Sequence, residues 1–119
     1  MKKIKLTPVK IKLMGIGSIV DAENEFRDKI WYSRCHLAMR EELKNGELKL
    51  VDKWKPEYST QNAVLKSGWK LGIKAAKKIE KKYGKKNLGP YSDFEWGMLN
   101  GKLSAIRWVF GDGWDQLDT

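Results

Sequence analysis

One cysteine, one histidine and three prolines are spread over 119 residues. A lone Cys35 excludes an internal disulfide and any CxxC redox or zinc motif, and points to a reducing compartment. With His36 the only histidine, a zinc site lacks ligands and a cysteine–histidine enzyme lacks a second base. Adjacent residues of a helix point about 100° apart, so Cys35 and His36 do not form a pair with each other. No apolar run approaches the roughly 20 residues that span a bilayer. The N-terminal lysines are followed by no continuous apolar stretch, so no signal peptide and a cytoplasmic location are expected. Acids are also scarce: 15 Asp and Glu face 24 Lys and Arg, a net charge of +9.

What remains is enough for one folded domain, 1–119. Hydrophobic residues make up 41% of the chain and six are tryptophans, which supports a packed core. The positive balance favours polyanionic partners, either nucleic acid or an acidic protein.

The cations are concentrated. Nine lysines fall between Lys66 and Lys86 against a single acid, Glu80. Residues 87–119 reverse the sign, with Lys102 and Arg107 against Asp93, Glu95, Asp112, Asp115 and Asp118.

Residues 1–17 read as an extended arm or edge strand, because apolar residues and lysines alternate over 3–13 and Pro8 disfavours a central strand. Residues 18–119 read as a helical core. A first helix is predicted from about Ile19 to Lys44, with Ser18 as N-cap, Asp21 in a capping-box-like position and Gly46 as terminator. Residues 47–52 suit a short strand or an extended linker. A second helix is predicted from near Ser59 to Tyr83, stopped by Gly84. At 100° per residue, Leu65, Trp69, Ile73, Ala76, Ile79 and Tyr83 cluster on one side. Lys66, Lys70, Lys74, Lys77, Lys81 and Lys85 cluster nearly opposite.

The third helix has the strongest local start signal. Ser92 and Glu95 match an S-x-x-E capping box, with Tyr91 and Trp96 at hydrophobic-staple spacing. It is predicted to run to Phe110, before Gly111, and to be the central helix, covered on most sides. Gly68, Gly72 and Ala76 on the second helix repeat the spacing of Gly97, Gly101 and Ala105 on the third. Each glycine costs a helix about 1 kcal/mol relative to alanine, so close packing of these two helices is expected. The predicted architecture is mainly α: a compact bundle of about three long helices, with an N-terminal extended arm or small two-stranded β element.

Candidate sites follow from these patterns. Lys66, Lys70, Lys74, Lys77, Lys78, Lys81, Lys82 and Lys85 form a surface suited to phosphate contacts, which give affinity with little sequence information. No aromatic residue falls on that face, so base stacking is not expected there. Gly15, Gly17 and Ser18 form a glycine turn before a helix and are a weaker anion-binding candidate. No cofactor and no metal are implied; the C-terminal aspartates lack the spacing of a calcium loop. The expected function is a small, basic, non-enzymatic binding module contacting a polyanion, most plausibly nucleic acid. The alternative is a structural protein that self-associates, for example as a homodimer, or docks an acidic partner protein. An enzyme with a site near Cys35, His36 and the C-terminal aspartates comes third.

Overall fold

The computed structural model describes residues 14–114. The alternating segment 3–13 and the residues Asp115, Leu117 and Asp118 lie outside them. Helix α1 (Ile16–Trp31), a π-helical segment (Tyr32–Leu37) and α2 (Ala38–Asn45) form one continuous helical run over 16–45. Gly46 ends it at φ 80°, a left-handed conformation that glycine adopts without a Cβ clash. Strand β1 (Lys49–Val51) pairs in parallel with β2 (Ala63–Leu65), with Leu50 opposite Val64. Helix α3 (Lys66–Tyr83) starts directly from β2. A short 3-10 turn (Lys85–Asn87) leads to α4 (Asp93–Val109). The fold is mainly α: a bundle of three helical runs with a small two-stranded parallel sheet, the class that the sequence predicts.

The long run is the spine. Helix α4 lies antiparallel along its first half: Arg107 Nε is 3.7 Å from Glu23 Oε1, Lys102 lies over the Phe26 ring, and Arg34 lies over Trp96. Ile30, Leu99 and Leu103 form the buried seam there, flanked by Phe26, Tyr91 and Trp96. Helix α3 lies antiparallel along the second half, where Tyr32, Ala76, Ile79 and Leu88 are buried together. Tyr83 Oη donates to Asp28 Oδ2 at 3.1 Å and marks one end of that contact.

Four local expectations change. The first helix begins at Ile16, with Gly15 as N-cap and no side-chain cap, so Ser18 lies within the first turn. The second helix begins at Lys66 rather than near Ser59, because Ala63, Val64 and Leu65 pair with β1. That pairing accompanies the burial of Leu48, Val51 and Ala63. The third helix is not central. Among the helices it packs chiefly on α1, and Phe94, Met98, Trp108 and Val109 stay exposed. The glycine stripes of α3 and α4 do not interlock: a Cβ on Gly68, Gly72, Gly97 or Gly101 would meet no atom within 4 Å. The start of α4 matches its prediction in full. Ser92 Oγ accepts from the Glu95 N–H and Glu95 Oε1 accepts from the Ser92 N–H, each at 3.1 Å. The Tyr91 and Trp96 rings stack at 6.2 Å. No helix among the described residues is long and apolar enough to cross a membrane.

Candidate nucleic-acid interface

Helix α3 presents Lys66, Lys70, Lys74, Lys77, Lys78, Lys81 and Lys82, all exposed, and Lys85 follows on the 3-10 turn. Lys66, Lys70, Lys74, Lys77 and Lys81 fall within about 80° of arc, with Lys78 and Lys82 on one flank. Of the eight, Lys66 pairs with Asp52 Oδ1 at 3.2 Å and Lys82 lies over the Tyr83 ring. The other six form no ion pair among the described residues.

Beyond the Lys66–Asp52 pair, the charge is left unpaired among the described residues because of where their acids point. Glu80, the only acid of α3, is half-buried, and its Oε2 accepts a 2.6 Å hydrogen bond from Tyr32 Oη. Its carboxylate is therefore held toward the spine, and it forms no ion pair with the lysines among the described residues. Burial, then the hydrogen bond to Glu80 and its charge, push the Tyr32 hydroxyl up to about 12. Among the described residues, the acids of the C-terminal segment do not pair with the lysines either. Glu95 is engaged in the cap of α4, and Asp93 and Asp112 form no ion pair among the described residues. The cap hydrogen bonds hold the Glu95 carboxyl below its ordinary range.

Beside the lysine face, where α3 meets the π-helical segment and α2, is a cavity of about 370 Å³. Trp69, Ile73 and Ala76 supply its apolar lining, and Arg40, Lys77 and Lys85 bring positive charge to it. His36 and Glu80 also line it. The His36 ring is buried, stacked at 15° on Trp69 with centroids 5.4 Å apart and flanked by Trp31 and Tyr32. Its Nδ1 is buried without a hydrogen-bond partner among the described residues. Desolvation, reinforced by Arg40 and opposed by Glu80, pushes its pKa down, so the imidazole is neutral at pH 7.

The sequence singles out the lysines of this region but not His36, Arg40, Trp69 and Glu80 as one group. The available signal was the four-residue spacing of Tyr32, His36 and Arg40 opposite Trp69, Ile73 and Glu80. Assigning it requires knowing that the two helices are antiparallel neighbours. Cys35 is half-buried and does not line the cavity. Gly15, Gly17 and Ser18 are exposed at the start of α1, with the Ile19 N–H bonded to the Gly15 carbonyl at 3.1 Å. No group of three or more His, Cys, Asp or Glu residues suited to a metal occurs among the described residues. Compared with protein-family models, curated proteins and solved structures, the chain matches none.

Proposed function

We propose that the chain is a non-enzymatic nucleic-acid-binding module whose contact surface is the lysine face of α3, continued by Lys85. One observation carries this reading. The single acid of α3 is turned into the helix seam by Tyr32, while Lys70, Lys74, Lys77, Lys78, Lys81 and Lys85 form no ion pair among the described residues. A helix of this length is roughly 27 Å long, and lysines along it are spaced to meet successive phosphates. Such contacts release counterions and supply sequence-independent affinity. A half-buried free thiol at Cys35 fits a reducing, cytoplasmic setting. The test is fluorescence anisotropy with a labelled oligonucleotide at about 50 mM salt. Binding by the native chain, and its loss in the combined variant Lys70→Gln, Lys74→Gln, Lys78→Gln, Lys81→Gln, supports the reading. No binding by the native chain overturns it.

A second reading, self-association, has its own support. Phe94, Met98, Trp108 and Val109 are 77%, 45%, 50% and 63% exposed. They share one side of α4 with Gly97, Gly101 and Ala105. An uncharged stripe of this kind suits contact with another protein surface; a second copy of the chain is one candidate for it. An acidic partner protein would instead compete for the lysine face.

A further inference from the structure

We propose that the cavity between the π-helical segment and α3 receives one unpaired base of a single-stranded nucleic acid. The inference rests on the nucleic-acid reading of the lysine face and gives that face a strand preference.

Position comes first. Lys77 belongs both to the lysine face and to the cavity lining, while Arg40 and Lys85 reach the cavity from α2 and from the 3-10 turn. A phosphate chain following α3 thus passes an opening ringed by cations from three elements. At about 370 Å³ the cavity lies at the lower end of the range for small-ligand sites, suited to one heterocycle.

The lining chemistry selects the ligand. Trp69, Ile73 and Ala76 offer apolar area to a flat ring. One polar group among the lining residues has unused capacity: Oε1 of Glu80 has no hydrogen-bond partner among the described residues. The apolar lining gives a bare phosphate no contact, so the cations of the cavity serve the phosphates that flank a base. A base edge carries N–H groups whose hydrogen bonds a carboxylate oxygen accepts. The π-helical segment contributes directly. It places Tyr32 and His36 on the side facing α3, and Tyr32 fixes the orientation of Glu80. π-turns within α-helices occur frequently at functional sites. A duplex keeps its bases paired and stacked and cannot fill the cavity.

The experiment compares three labelled probes against the full chain. They are an oligo-dT strand of roughly 12 residues, an abasic sugar-phosphate chain of the same length, and a duplex of matched length. The expected result is that the dT strand binds about tenfold or more tighter than the abasic chain, the scale of base–aromatic contacts. Trp69→Leu and Ile73→Phe, each checked for native circular dichroism, are expected to reduce dT binding to the abasic level and leave abasic binding unchanged. Because His36 is the only histidine, its imidazole NMR signals are unambiguous. They are expected to shift on addition of the dT strand and not of the abasic chain. If all three probes bind alike, or the two variants weaken every probe equally, the cavity proposal falls and the lysine-face reading stands. If no probe binds, both fall.

Discussion

Tyr32 Oη donates to Glu80 Oε2 across the seam between the spine and α3, at 2.6 Å. This bond joins residues 48 apart in sequence and directs the sole acid of a lysine-rich helix inward. Tyr32→Phe removes the donor and leaves a half-buried carboxylate with less compensation. Loss of a hydrogen bond to a charged group costs about 1.5–3 kcal/mol. Thermal unfolding by circular dichroism is expected to show a lower Tm for Tyr32→Phe, and a smaller loss for Glu80→Gln, which keeps an acceptor. An unchanged Tm in Tyr32→Phe would contradict the role given to this bond.

His36 predicts a pH dependence of stability. Its pKa in the folded chain lies below the ordinary 6.5 because burial and Arg40 disfavour the charged ring. The unfolded chain therefore binds a proton that the folded chain resists. This contribution is fully present above about pH 6.5 and is lost as pH falls through the folded value. Denaturant melts between about pH 7 and pH 5 are expected to show stability falling in the native chain. Subtracting the same series for His36→Phe isolates the histidine. A difference that does not change with pH contradicts this burial effect.

The glycines of α3 give a test of helix packing. Gly68 and Gly72 lie within α3, and a Cβ at either position would touch nothing within 4 Å. Gly72→Ala is expected to stabilise the fold by about 0.5–1 kcal/mol through helix propensity and a less flexible unfolded chain. Destabilisation in chemical denaturation would mean that another helix approaches this face closely.

Exposure along α4 predicts association if the apolar stripe is an interface. Light scattering over a concentration series is then expected to show mass rising above 13.8 kDa for the native chain. The rise is expected to vanish in the double variant Met98→Lys, Val109→Lys. Both positions are exposed, so this variant is expected to keep its helix content. Constant monomer mass would rule out self-association through α4.

The parts of this structure legible in the sequence are those fixed by near neighbours. Ser92, Glu95, Tyr91 and Trp96 set the start of α4 within six residues of chain, and their contacts match the motif. Gly46, Gly84 and Gly111 end or follow helices at φ 80°, 83° and 108°, a role glycine announces by itself. The lysine face was legible because a 3.6-residue period is a local property. What was not legible depends on partners far along the chain. The pairing of Val51 with Leu65 withdrew the first turns of the second predicted helix. The apolar composition of α4 suggested a covered helix, but periodicity does not say what covers it. The cavity needed His36 and Trp69 to meet across an antiparallel seam, which neither segment reveals alone.

The most direct test of the lysine face is the salt dependence of binding to single-stranded DNA. With about five lysines on phosphates, log Kobs against log salt is expected to fall with a slope of roughly −3.5. Each Lys→Gln change among Lys70, Lys74, Lys78 and Lys81 is expected to make the slope shallower by about 0.7. A slope near zero, or one that the four changes leave unaltered, would contradict the account.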